Sequence, residues 1–132
     1  MTQMSAVLSR DKTVGGIPPG VLVVEDEAIV ALDLQFILED MGLVVIGPCP
    51  SLASGFSAVA GRRPDIAILD VHLTDGEVYA LADVLFQANV PMIFHSGHAN
   101  SRALANRYPG ARICPKPSSA QDIERVVQSV IL

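Results

Sequence analysis

The 132-residue chain has no tryptophan, and aromatic residues are only 5% of it. Its core must therefore be built chiefly from aliphatic side chains. Basic residues are also scarce. Nine Lys and Arg face 14 Asp and Glu, for a formal net charge of −5, and Arg62-Arg63 is the only adjacent basic pair. An acidic chain with no basic cluster is poorly suited to bind nucleic acid or an anionic membrane. Cys49 and Cys114 are the only cysteines, and neither has a CxxC or His-spaced partner. That argues against structural zinc and for two small hydrophobes in a reducing compartment. No apolar run approaches the roughly 20 residues of a membrane span. The N-terminus lacks the basic, hydrophobic and small-residue order of a secretion signal. These absences predict a cytoplasmic protein with no nucleic-acid or membrane partner.

Half of the chain is apolar, which is too much for a disordered protein and enough for one sizeable core. Residues 1–19 are mixed polar and small, and read as a flexible extension. Their "GGIPPG" is no phosphate loop, because no Lys-Ser/Thr follows the glycines. From residue 20 the chain alternates. "VLVVE" (21–25) is a continuous apolar run, the mark of a strand buried on both faces. Residues 27–41 carry Val30, Leu34, Ile37 and Met41 at helical spacing, widened by Ile29, Leu32 and Phe36, with Gly42 as a stop. "LVVIG" (43–47) is a second strand, and Ser51 caps a short helix with Leu52, Phe56 and Val59 that ends at Gly61.

"DIAIL" (65–69) is the third strand, followed by a helical stretch over 76–88 with Val78, Leu81, Ala82 and Leu85 on one face. "VPMIFH" (90–95) is the fourth, with Pro91 near its start, and 99–107 a short, weakly amphipathic helix. "ARIC" (111–114) is the fifth. Ser119 and Asp122 then open a last helix with Ile123, Val126, Val127 and Val130 inward. Met92, Phe94 and Phe56 are expected in the core. Five strands alternating with five helices predict an α/β fold, a parallel sheet covered on both faces. The doubly wound order 2-1-3-4-5 of flavodoxin-like folds has its switch point between strands 1 and 3, where ligands bind beyond the strand ends.

That order gathers a particular set of side chains at one rim. Strand 1 delivers Glu25 and Asp26, strand 3 Asp70, strand 4 Ser96 with Gly97, and strand 5 Lys116 between Pro115 and Pro117. Three close carboxylates repel one another, and a hard divalent cation such as Mg²⁺ relieves this. A carboxylate oxygen can then attack phosphorus, a reaction that needs positioning and charge neutralisation more than acid–base chemistry. Asp70 stands alone on the central strand and is the candidate nucleophile. Lys116 and Ser96 are candidate partners for phosphoryl oxygens. His72, His95 and His98 offer no helical zinc pair and are read as solvent-facing.

The segments "VLVVEDE", "DIAILDVHLTDG", "IFHSGH" and "CPKP" together resemble the receiver domain of bacterial response regulators, from about residue 20 to the C-terminus. The resemblance implies a receiver domain over 20–132, with Asp70 as phosphoacceptor and Asp26 as direct Mg²⁺ ligand. It further implies Glu25 as the acidic neighbour of that ligand, the His72 backbone carbonyl in the metal shell, Ser96 as switch hydroxyl, and Lys116 preceding a cis proline. It implies a phosphoryl donor in a sensor histidine kinase or a histidine phosphotransfer protein. It also implies a downstream protein partner, or a second copy, on the face of the fourth helix, fifth strand and fifth helix. His72 and His98 flank the site, where the family tunes phosphate lifetime.

Three departures stand out. Ile113 occupies the place of the switch aromatic. The segments from Asp70 to Ser96 and from Ser96 to Lys116 are short, implying a reduced fourth helix. The sequence also ends after the fifth helix, which reads as a stand-alone receiver, and "IFHSGH" resembles the "FATG" strand of a stand-alone alphaproteobacterial subgroup. Two other functions compete. A haloacid dehalogenase-type phosphatase also uses an Asp nucleophile with Mg²⁺, but wants Asp-x-Asp on its first strand. A pseudo-receiver acting as a phosphorylation-independent binding module would not need Asp26, Asp70, Ser96 and Lys116.

Overall fold

A computed structural model describes residues 18–97 and 101–131. Along it run β1 (Gly20–Val24), α1 (Ala28–Asp40), β2 (Val44–Cys49), α2 (Leu52–Gly61), β3 (Ile66–Leu69), β4 (His72–Leu73) and β5 (Gly76–Glu77). α3 (Tyr79–Gln87), β6 (Met92–Ser96), α4 (Ser101–Arg107), β7 (Arg112–Pro115) and α5 (Ala120–Ile131) complete it. Five strands form one parallel sheet in the order β2-β1-β3-β6-β7. Counting only these five, the order is the expected 2-1-3-4-5, a flavodoxin-like fold. The proposed extension over residues 1–19 lies almost wholly outside the described residues. Pro19 belongs to the fold, since its carbonyl accepts the Val44 N–H at 3.0 Å.

The apolar runs form strands because both faces of the sheet are covered. Leu22, Val24, Ala67, Leu69, Met92 and Phe94 face one core with Leu81 and Leu85 of α3 and Leu104 of α4. Val21, Val23, Ile66, Ile68 and Ile93 face the other with Leu34 and Leu38 of α1 and Ile123 and Val127 of α5. Alternate residues thus feed opposite layers, as the two-residue period of a strand requires.

Two helices bury less than their sequences suggest. In α1 the buried line is Ala31, Leu34 and Leu38, continued by Met41. Ile29, Leu32 and Phe36 do not widen it: they are 78%, 48% and 60% exposed. At 100° per residue they lie roughly 140–160° around the axis from Leu34, too far to reach the sheet. In α2 the close approach is made by buried Gly55. A Cβ there would stand 2.8 Å from Leu81 Cδ2 and 3.3 Å from Val24 Cγ2. Phe56, the next residue, is turned outward and is 38% exposed rather than in the core.

Local chemistry sets the helix ends. Ser51 and Ser54 form a reciprocal capping box at the start of α2. Ser119 Oγ accepts the Asp122 N–H at 3.1 Å, and Asp122 Oδ2 the Ser119 N–H at 3.3 Å. Gly42, at φ +85°, provides the left-handed turn that ends α1. α3 begins at Tyr79, not at residue 76, because β4 and β5 pair first as a small antiparallel ribbon. Between them the Asp75 carboxylate accepts the Leu52 N–H (2.9 Å) and the Ala53 N–H (3.2 Å), so the ribbon satisfies two orphan donors of α2.

Candidate functional site

The sheet ladder carries the polar residues to its C-terminal edge. The Asp70 N–H donates to the Val24 carbonyl and the Glu25 N–H to the Cys49 carbonyl, both at 2.9 Å. Both residues therefore continue strand register for one step past β3 and β1. Ser96 ends β6, opposite Pro115, and its carbonyl accepts the Lys116 N–H at 3.3 Å. The Lys116–Pro117 peptide is cis. Glu25, Asp70 and Ser96 are buried, Asp26 and Lys116 half-buried, and His72 exposed.

Lys116 reaches back across this rim. Its Nζ donates to Asp70 Oδ2 at 3.2 Å and to Glu27 Oε2 at 2.9 Å. Glu25 Oε1 lies 2.8 Å from Nζ but off the line of a hydrogen bond, which leaves a buried oxygen without a hydrogen-bond partner. Glu25 Oε2 accepts the Glu27 N–H at 3.1 Å. The other Asp70 oxygen, Oδ1, accepts the His72 N–H at 3.3 Å. Burial raises the Glu25 pKa to about 7, against the opposing pull of Lys116 and the Glu27 N–H. Burial also opposes the Lys116 charge, but the close Glu25 and Glu27 carboxylates outweigh it and hold the ammonium above the usual lysine range.

Glu25, Asp26 and Asp70 can each offer a carboxylate oxygen, all within 4.8 Å of one another. The donor set is all oxygen and includes the unsatisfied Glu25 Oε1, so these residues fit a hard cation such as Mg²⁺. The Ser96, Lys116 and carboxylate positions thus meet at one rim. Two neighbours were not anticipated. Glu27, at the N-cap of α1, is a partner of Lys116. His95 is buried rather than solvent-facing, and neither ring nitrogen meets a hydrogen-bond partner. Strand alternation places it beside Ile93 toward α1 and α5, a signal available in the sequence once the sheet order was known. His98 lies outside the described residues.

A family model for the response regulator receiver domain matches residues 21–128. The chain belongs to that family. This receiver domain is 27% identical over 114 residues to the phyllosphere-induced regulator PhyR of Methylorubrum extorquens, an alignment covering 84% of this chain and 43% of the relative. The curated relatives it matches are thus more than twice as long as the part it covers in them. Its fold superposes on the receiver domain of PhyR from Erythrobacter litoralis with a TM-score of 0.76, at 23% identity and covering 86% of this chain and 90% of that one. A CheY-like receiver domain protein from Methanospirillum hungatei gives a TM-score of 0.78 at 19% identity, covering 86% and 94%. Receiver domains are signalling modules of two-component systems, acting between histidine kinases and downstream effectors. Among the described residues, no helix is long and apolar enough to cross a membrane.

Proposed function

We propose that this receiver domain accepts a phosphoryl group on Asp70 from the phosphohistidine of a sensor kinase or phosphotransfer protein. One observation supports this reading above the rest: Asp70, buried at the central strand end, has the Glu25–Asp26 carboxylates within 4.8 Å and the Lys116 ammonium at 3.2 Å. An Asp70 carboxylate oxygen forms the new P–O bond while the donor's P–N bond breaks, its electron pair returning to the imidazole. Lys116 offsets charge on one phosphoryl oxygen, and the Ser96 hydroxyl donates to another. Glu25, Asp26, Asp70 and the His72 backbone carbonyl would hold Mg²⁺, which supplies charge neutralisation when bound. Apart from self-phosphorylation and its hydrolysis, no turnover is proposed.

The signal leaves through protein contacts on the α4–β7–α5 side, to a partner or a second copy. Ile113 is half-buried there and has no ring to swing, so the readout is a shift of Ser96 and Lys116; the rest of the expected switch loop, residues 98–100, lies outside the described residues. The deciding experiment is intact mass after acetyl phosphate and Mg²⁺. Wild type gains one phosphoryl group and Asp70→Ala gains none; equal labelling of the variant overturns the assignment. Steady hydrolysis of p-nitrophenyl phosphate would instead favour a phosphatase.

A further inference from the structure

Glu27 lies outside the carboxylate cluster suited to a cation, yet it makes the shorter of the two hydrogen bonds from Lys116: 2.9 Å, against 3.2 Å to Asp70. The contact spans 89 residues of sequence. Its backbone is held by the Glu25 carboxylate and by its place at the N-cap of α1, while its side chain is 61% exposed. An exposed carboxylate is solvated by water and needs no lysine for its own stability. The contact matters more to Lys116, whose side chain is only 16% exposed. A phosphoryl group arriving at Asp70 must take an ammonium already shared among Glu25, Glu27 and Asp70. Glu25 and Asp70 both belong to the oxygen cluster. Glu27 does not, so a cation held by that cluster leaves the Glu27 charge in place beside Lys116.

We propose that Glu27 is a specificity-determining positioning residue, whose carboxylate competes for Lys116 and disfavours free, highly anionic phosphoryl donors. The inference rests on phosphorylation of Asp70. A dianionic donor such as acetyl phosphate meets the full repulsion. Phosphoramidate, a zwitterion with one net negative charge and a P–N bond like that of phosphohistidine, meets less. In each transfer the Asp70 oxygen bonds to phosphorus as the leaving group departs with the electron pair of the broken bond, acetate from acetyl phosphate and neutral ammonia from the already protonated nitrogen of phosphoramidate.

The test uses the full chain as wild type, Glu27→Gln and Glu27→Asp, with initial rates of phosphoryl mass gain from each donor in Mg²⁺. Glu27→Gln should accelerate labelling by acetyl phosphate roughly three- to tenfold at low salt, and by phosphoramidate less than about twofold. The difference should shrink as salt is raised, and Glu27→Asp, which keeps the charge, should stay near wild type. Beryllofluoride, a phosphoryl mimic, should bind the Gln variant more tightly. Equal rates for wild type and Glu27→Gln with acetyl phosphate overturn the inference while leaving phosphorylation intact. So does equal acceleration with both donors at every salt concentration. Absence of any mass gain in all three proteins overturns the Asp70 reading, and this one with it.

Discussion

Glu25 and His95 are both buried at the same rim of the sheet, and burial moves their proton affinities in opposite senses. Glu25 is raised from 4.5 to about 7, so between those values the native state holds a proton that the unfolded chain has released. Its contribution to stability is complete below about pH 4.5 and is lost as pH rises through about 7. His95 is lowered from 6.5, by burial first and then by the Lys116 charge. Its contribution is complete above that value and is lost as pH falls below it. Urea unfolding with a chelator present, from about pH 5 to about pH 8, should separate the two. Glu25→Gln should gain stability relative to wild type as pH rises, and His95→Leu relative to wild type as pH falls. Variant and wild-type profiles that stay parallel would refute both assignments.

At the scale of elements, α4 is better anchored than its sequence suggests. Its seven residues bury only Leu104, in keeping with the weak apolar spacing of residues 99–107. The next residue after it, Tyr108, is 1% exposed and packs on Phe94 and Phe86 at ring distances of 5.5 and 5.6 Å. Its hydroxyl donates to Asp83 Oδ1 at 2.7 Å, and Arg107 bridges the same carboxylate at 2.9 Å while lying over the Tyr79 ring. The end of α4 is thereby tied to α3. Tyr108→Phe should cost about 1 kcal/mol in urea unfolding, the usual worth of a hydrogen bond. Loss of α4 protection in hydrogen exchange should exceed any loss in α1. In α1 the two faces should separate clearly: Leu38→Ala, at 0% exposure, should cost about 2–5 kcal/mol, and Phe36→Ala less than about 0.5 kcal/mol. A large cost at Phe36 would mean that the outer face of α1 is covered.

The whole molecule should respond to Mg²⁺, because a ligand that binds only the folded state stabilises it. Glu25 from β1, Asp26 beyond it and Asp70 from β3 meet only when the sheet has formed. Thermal melting of wild type should shift upward with Mg²⁺, by the equivalent of about 2.7 kcal/mol at a hundredfold excess over Kd. The Asp26→Ala protein should lose most of that shift, and Lys116→Ala should keep it or increase it, since the three carboxylates remain and the ammonium that contacts Glu25 and Asp70 no longer competes with the cation. An unchanged Mg²⁺ shift in Asp26→Ala would count against the proposed ligand set.

Much of this architecture follows from local pattern. "VLVVE" and "DIAIL" have no polar face, so they must become strands covered on both sides. Ser51, Ser119 and Asp122 cap helices through atoms within three residues, and Gly42 ends one through its own backbone freedom. Alternation of strands and helices then restricts the topology, and the topology alone places Glu25, Asp26, Asp70, Ser96 and Lys116 along one edge. Tertiary structure decided the rest. α1 carries apolar residues on most of its circumference, so only docking on the sheet selected Ala31, Leu34 and Leu38 over Ile29, Leu32 and Phe36. The depth of His95, the outward turn of Phe56 and the clasp of Tyr108 on Asp83 depend on how closely distant helices approach. The Glu27–Lys116 contact joins residues 89 apart whose spacing has no period to read. Periodicity and capping are short-range and leave a trace in sequence, whereas the distance between two side chains on separate crossovers exists only after the layers have packed.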